Sequence, residues 1–137
     1  MIELDKNETL VLALPKGRIL EEVMPIVRKT GIEPEPAFND PNARQLRFST
    51  NVTGLDIIRV RSFDVATFVA FGGAHLGIVG NDVLMEFDYA ELYSPLDLNV
   101  GHCRISVAES VGMVAEDDPS RWSSVRIATK YPAITQQ

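Results

Sequence analysis

Residues 9–18 read Thr9-Leu10-Val11-Leu12-Ala13-Leu14-Pro15-Lys16-Gly17-Arg18, a short apolar run that ends in a proline, a glycine and two cations. A nearly continuous apolar run of this length is typical of a strand covered on both faces, as in a mostly parallel sheet. From residue 19 to residue 30 the apolar side chains recur at helical spacing, and Gly31 is a natural stop. The stretch therefore predicts a strand, a tight turn and a helix in direct succession.

The turn between these two elements is suited to an anion. In open α/β sheets, ligands bind at the carboxyl ends of strands, where the next helix offers amide hydrogens and a partial positive charge. Gly17 lets the backbone approach an anion closely, Lys16 adds a mobile charge, and Arg18 adds a planar fork suited to two phosphate oxygens. We predict a phosphorylated ligand here. The alternative is a turn that only redirects the chain, with both cations in water.

The chain after this unit continues to alternate between strand and helix patterns. The predicted elements are a hairpin of residues 45–49 and 55–61, a helix over 64–72 capped by Asp64, a buried strand over 76–79 and a short helix over 83–86. This alternation favours an α/β fold with a largely parallel sheet.

The pattern changes near residues 98–101, where we place a boundary between two lobes. Beyond it, residues 104–108 and 125–129 read as two further strands. Two strands and a short tail have little apolar surface to bury against one another. We therefore expect this second lobe to be incomplete and to need a partner chain or a further C-terminal portion.

Composition and charge exclude several classes of protein. The chain has 137 residues, of which 45% are hydrophobic, and no apolar run approaches the ~20 residues that span a bilayer. The N-terminus lacks the pattern of a signal peptide, so we expect a cytoplasmic protein without a membrane partner. A net charge of −6 argues against nucleic acid as a partner, and a single cysteine, Cys103, excludes an intrachain disulfide. Any anion must be bound by particular cations and amides.

Five motifs in order along the chain extend the pattern beyond the first turn. They are Ala13-Leu14-Pro15-Lys16-Gly17-Arg18-Ile19-Leu20-Glu21-Glu22, Arg61-x-x-Asp64-Val65, Leu76-Gly77-Ile78-x-Gly80-x-Asp82-Val83-Leu84, Cys103-Arg104 and Arg126-Ile127-Ala128-Thr129-Lys130-Tyr131-Pro132. In these motifs the chain resembles the catalytic subunit of ATP phosphoribosyltransferase. The resemblance runs from Leu10 to Pro132 and corresponds to about the first two-thirds of the short form of that subunit.

The resemblance implies a fold and a reaction. The fold is two-lobed, like that of type II periplasmic binding proteins, with residues 1–98 as the first lobe and residues 99–137 as the beginning of the second. In the reaction, N1 of ATP attacks phosphoribosyl pyrophosphate in the presence of Mg²⁺ and releases pyrophosphate, as the first step of histidine biosynthesis. The family's later glycine- and threonine-rich loop, which holds the 5-phosphate of phosphoribosyl pyrophosphate, has no counterpart in these residues.

The resemblance also implies partners. Beside ATP and phosphoribosyl pyrophosphate, we expect either a homo-oligomer or a hetero-oligomer with a regulatory subunit that resembles histidyl-tRNA synthetase. The resemblance also implies Mg²⁺ beside the two substrates. No side chain is assigned as a metal ligand, and Asp82 is a candidate to orient a ligand or metal.

Carried over by position, the resemblance assigns Arg18 and Arg44 to the departing pyrophosphate, and Lys16 with Gly17 to a nearby phosphate. Further predicted substrate contacts are Arg61, Asp82, Lys130 and Tyr131. Each has a plainer alternative. Arg44 is then an ordinary surface arginine, and Arg61 is solvated, as is Arg59 on the same face of the predicted strand. Asp82 is then a helix cap, and Lys130 with Tyr131 a solvated turn.

Two other functions stay open at this point. A solute- or anion-binding module without catalysis would share the implied fold, because fold does not fix function. A fragment that is inactive until it joins a C-terminal portion would share every motif.

Overall fold

The computed structural model describes residues 9–114, 124 and 126–137. The chain divides into two compact units, Met1–Gly101 and His102–Gln137. The division falls close to the boundary expected from the sequence, while the assignment of the units as two lobes of one cleft stays a prediction.

The first unit is built on a four-stranded sheet in the order β2-β3-β1-β4. Its strands are β1 (Leu10–Pro15), β2 (Arg47–Ser49), β3 (Leu55–Val60) and β4 (Leu76–Gly77). β1 pairs in parallel with both β3 and β4, whereas β2 runs antiparallel to β3 as the predicted hairpin requires. The predicted α/β architecture with a largely parallel sheet is confirmed.

Apolar side chains cover both faces of this sheet, as the sequence of β1 predicts. On one face, Leu14 and Ile57 pack with helix α1 (Arg18–Lys29), which contributes Val23 and Val27. Pro25 lies on the exposed side of α1, where water can serve the carbonyl group that its missing N–H leaves unpaired.

On the other face, Ala13 and Ile58 pack with Val65 of helix α2 (Ser62–Ala70). Strand residues alternate between the two faces, so the parallel pair β1–β3 supplies both cores at once.

A short 3₁₀ helix, Pro36–Asn39, leads into the hairpin and closes the first of these cores. Its Phe38 is buried and meets the buried Phe48 of β2 edge to face, with ring centroids 5.2 Å apart. This aromatic pair fastens the segment before β2 to the sheet.

The third predicted strand is present but is not buried. β4 is only two residues long, and Leu76 is 56% exposed because β4 lies at the edge of the sheet in the described part of the chain. Its approach is secured by His75, whose amide donates to the Val11 carbonyl while its Nδ1 accepts the Val11 amide.

The helices around β4 also differ from expectation in detail. Helix α2 begins after Arg61, and Asp64 lies inside its first turn without capping it, so the predicted cap at Asp64 is wrong. Helix α3 (Asn81–Phe87) starts two residues earlier than predicted.

In the second unit, the predicted strand over 104–108 is wrong, because these residues are irregular and exposed. Residues 126–129 are irregular too, and residue 125 of that predicted strand lies outside the described residues. A strand requires a hydrogen-bonded neighbour, and the described residues offer none here. The helices described in this unit are α4 (Val111–Val114) and α5 (Pro132–Thr135).

Among the described residues, no helix has the length and apolar character to cross a bilayer.

The buried aromatic pair gives the first testable prediction. Phe48→Ala removes a ring that is 1% exposed and leaves a cavity against Phe38, so it should lower the free energy of unfolding by about 3–5 kcal/mol. Phe71→Ala, at a ring that is 76% exposed, is the matched control and should cost less than ~1 kcal/mol. Urea denaturation measures both, and equal losses would contradict this account of the core.

Candidate anion-binding site

The carboxyl ends of three parallel strands meet at one edge of the sheet. The Lys16 amide donates to the Val60 carbonyl at 2.8 Å, which places Lys16 beside the end of β3 and therefore beside Arg61. On the other side, the Ile78 amide donates to the Ala13 carbonyl at 3.0 Å, so the turn that leads into α3 starts at the same edge. Ligands of open α/β sheets bind at such an edge.

Gly17 connects β1 to α1 in a conformation that other residues avoid. Its φ is 90° and its ψ is −156°, a region that is essentially restricted to glycine. Helix α1 begins at the next residue, and no side chain caps it. The amide of Leu20 donates to the Gly17 carbonyl at 2.9 Å, whereas those of Arg18 and Ile19 have no partner among the described residues. These two amides are available to an anion, with the positive end of the helix dipole behind them.

A pocket of about 220 Å³ opens at this turn. Its lining combines two cations with small or apolar groups: Lys16, Gly17, Leu20, Pro41, Ala43 and Arg59. The predicted residues Lys16 and Gly17 thus line one cavity. Pro41 and Ala43 bring the segment that carries Arg44 to its opposite wall.

Arg59 is the pocket residue that sequence reasoning missed. Its guanidinium lies over the rings of Phe38 and Phe48, 5.3 Å and 5.1 Å from their centroids, and Nη1 donates to the Phe38 carbonyl at 2.5 Å. Such cation–π contacts contribute about 0.5–2 kcal/mol each. Arg59 is half-buried, so the alternative in which it is simply solvated is wrong. Alternation along β3 placed Arg59 and Arg61 on one face but gave no sign of the aromatic rings beneath Arg59.

Arg18 lies outside the pocket lining, and its side chain is 73% exposed. Its Nε is 3.7 Å from Oε1 of Glu22, one turn further along α1. The other oxygen of Glu22 accepts the amide of Gly101 at 2.8 Å. An exposed pair at this spacing contributes only ~0.5 kcal/mol, so a phosphate group would readily take Arg18 from Glu22.

Four cations at this edge have no carboxylate partner in the part of the chain that the structure describes. Within the described residues, ion pairs engage Arg18, Arg28 and Arg47, whereas none engages Lys16, Arg44, Arg59 or Arg61. The amide of Arg59 donates to the Leu46 carbonyl, which places residues 44–46 beside the end of β3. In a chain of net charge −6, this local excess of positive charge marks a candidate anion site.

The remaining predicted site residues are not among those that line this pocket. Asp82 is in the first turn of α3, and its Oδ1 lies so close to Gly80 that a Cβ there would be 2.2 Å away. Lys130 and Tyr131 belong to the second unit, where Tyr131 precedes α5 and its amide donates to Oγ1 of Thr129 at 2.9 Å. Their predicted substrate contacts stay predictions.

The sheet and its helices define the class of the molecule, an α/β protein with a candidate anion site at the start of α1. Comparison with known proteins specifies it further. The family model for HisG: ATP phosphoribosyltransferase matches residues 61–137. The ATP phosphoribosyltransferases of Paramagnetospirillum magneticum and Rhodospirillum rubrum are 69% and 64% identical to this chain over 131 and 133 residues. The chain belongs to the ATP phosphoribosyltransferase family, which confirms the resemblance drawn from its motifs.

The alignments cover nearly all of this chain but a smaller share of each relative. They include 96% and 97% of this chain but only 60% and 59% of the two relatives, so the chain spans about 60% of their length. Among solved structures, the ATP phosphoribosyl transferase (HisG:HisZ) complex from Thermotoga maritima matches 66% of this chain and 41% of its own, with 33% identity and a TM-score of 0.53.

Two glycines at opposite ends of α1 allow a controlled test of the anion site. Gly17 (φ 90°) and Gly31 (φ 83°) both have open space where a Cβ would stand, so Gly17→Ala and Gly31→Ala should each destabilise the protein by about 1–2 kcal/mol through the backbone alone. Only Gly17→Ala alters the pocket wall. Calorimetric titration with pyrophosphate should therefore show weaker binding for Gly17→Ala and unchanged binding for Gly31→Ala. Equal affinities in both variants would remove Gly17 from the site.

Proposed function

We propose that this chain forms the pyrophosphate-binding part of an ATP phosphoribosyltransferase, the enzyme that transfers the phosphoribosyl group of phosphoribosyl pyrophosphate to N1 of ATP and starts histidine biosynthesis. The observation that carries the proposal is the group of cations around the turn at Lys16 and Gly17, which pair with no carboxylate of the described residues. Family membership supports it, because the relatives carry the name of this activity.

The chemistry requires stabilisation of a leaving group. As the bond to the anomeric carbon breaks, negative charge grows on pyrophosphate, and cations already in place lower the barrier most effectively. Lys16 and the first amides of α1 would hold one phosphate, while Arg18 and Arg44 would contact the departing pyrophosphate. Arg18 would change partner from Glu22 to the ligand. No nucleophilic side chain is required, because N1 of ATP is the attacking atom.

Mg²⁺ enters this proposal as part of the substrates. Within the described residues, no three His, Cys, Asp or Glu side chains are grouped to hold a metal ion. Mg²⁺ is commonly held by substrate phosphates and one or two carboxylates. Asp82, at the same edge of the sheet, is the proposed carboxylate that orients the ligand or its metal. Bound Mg²⁺ would supply further neutralisation of the leaving group.

The proposal also covers the arrangement of the two lobes, the oligomeric state and the cellular location. We infer a two-lobed arrangement like that of type II periplasmic binding proteins, in which Arg61 faces the cleft and Lys130 with Tyr131 faces the nucleotide. The solved relative is a HisG:HisZ complex, which supports a hetero-oligomer, and a homo-oligomer is the alternative. Both substrates are cytoplasmic metabolites, so we place the reaction in the cytoplasm.

Arg18 provides the direct test of this mechanism. In a chain extended by the C-terminal portion of a relative, Arg18→Ala should lower kcat by about 10²–10³-fold with a much smaller change in KM for ATP, because the contact strengthens as charge develops. Arg28→Ala removes an arginine from the other end of α1, where it pairs with Glu33, and is the matched control. Formation of phosphoribosyl-ATP measures turnover, and undiminished turnover in Arg18→Ala would remove it from the mechanism.

A second test separates catalysis from simple binding. The 137-residue chain alone should bind pyrophosphate yet form almost no phosphoribosyl-ATP, and co-expression with the C-terminal remainder of the Paramagnetospirillum magneticum relative should restore turnover. Binding of amino acids in preference to phosphoribosyl pyrophosphate would favour a solute-binding module instead. Robust turnover by the chain alone would contradict the proposal that the other phosphate is held by residues outside it.

A further inference from the structure

One arginine fastens the segment that precedes β2 to the sheet. The guanidinium of Arg59 donates to the Phe38 carbonyl at 2.5 Å, and its Nη2 lies 3.5 Å from the Asp40 carbonyl. The amide of Arg59 donates to the Leu46 carbonyl at 2.8 Å. The same residue therefore holds residues 38–46 near both ends, once through its side chain and once through its backbone.

That segment forms one wall of the anion pocket and carries Arg44. Pro41 and Ala43 line the pocket, and Ala43 also packs against the core beneath α1. After Arg44, the side chain of Gln45 donates to Oε1 of Glu35 at 2.7 Å. The backbone of Arg44 is thus fixed on both sides while its side chain remains exposed.

Arg59 is poorly placed to contact a ligand through its own donors. Nη1 is occupied by the Phe38 carbonyl, and Nε is buried without a hydrogen-bond partner among the described residues, beyond the reach of a ligand oxygen. The stack on Phe38 and Phe48 fixes the plane of the guanidinium. Its hydrogen bonds and ring contacts are therefore with the segment that it holds and with the rings beneath it.

We propose that Arg59 is a positioning residue for Arg44: it clamps residues 38–46 so that the Arg44 guanidinium stands within reach of a phosphate group in the pocket at Lys16 and Gly17. The proposal rests on the proposed function for the identity of the ligand. The clamp itself is a property of the chain and can be measured without a ligand.

A double-mutant cycle tests whether Arg59 acts through Arg44. Calorimetry with pyrophosphate on the 137-residue chain should show about a tenfold loss of affinity for Arg44→Gln and a similar loss for Arg59→Met. The double variant should lose no more than about twofold beyond Arg44→Gln, because residues that act through one another are not additive. Losses that multiply would show that Arg59 acts independently of Arg44 and would overturn the proposal.

Two further variants distinguish the positioning of residues 38–46 by Arg59 from the effect of its positive charge. Arg59→Lys keeps the positive charge but has no planar fork for the two carbonyl groups, so it should lose affinity almost as Arg59→Met does. Full affinity in Arg59→Lys would mean that charge alone matters, and the proposal would be wrong. Arg47→Met removes an arginine from the same hairpin, where it pairs with Asp56 at 2.6 Å, and should leave affinity unchanged.

Amide hydrogen exchange tests the clamp without any ligand. In Arg59→Met and Arg59→Lys, the amides of Asp40, Asn42 and Ala43 should exchange about tenfold faster, while that of Asn51 at the far end of the hairpin should not change. Unchanged exchange at residues 40–43, or equal acceleration throughout the hairpin, would refute the clamp. If the original chain fails to bind pyrophosphate, the proposed function fails, and the exchange result still decides the clamp.

Discussion

The parallel pairing of β1 with β3 holds six consecutive residue pairs in register, from Leu10 opposite Leu55 to Pro15 opposite Val60. Because both strands end at the same level, the chain delivers Lys16 and Arg61 to one edge of the sheet. A slip of one residue would turn the side chains of β1 to the opposite faces and exchange the packing surfaces of α1 and α2. The pocket thus depends on a ladder whose own residues are almost all apolar.

The same ladder links the hydrophobic core to the charged site. Phe38 and Phe48 belong to the core beneath α1, and their rings form the floor on which Arg59 lies. A cation set against aromatic rings and carbonyl groups keeps its charge unneutralised, and its effect on nearby anions is stronger than in water. Core packing in this region therefore holds one wall of the pocket in place as well as contributing to stability.

The sequence predicted correctly those elements whose conformation is set by residues adjacent in the chain. The turn at Gly17 and the hairpin of β2 and β3 follow from glycine, proline and apolar periodicity, and both are present. Burial of residues 76–79 and a strand over 104–108 depended on neighbours that the pattern could not supply, and both predictions are wrong. The place of Arg59 in the pocket could not be predicted for a similar reason, since Phe38 lies far from it in sequence and meets it only after the hairpin has formed.

The two carboxylate oxygens of Glu22 have different partners. Oε1 lies near the Arg18 guanidinium, and Oε2 accepts a hydrogen bond from the amide of Gly101. Departure of the Arg18 guanidinium leaves the second bond in place, so the last residue of the first unit stays attached to α1. Capture of an anion by Arg18 then needs a change of rotamer and no rearrangement of the backbone. Binding at the proposed site would then require little reorganisation of the protein, because the backbone of the turn would keep its conformation.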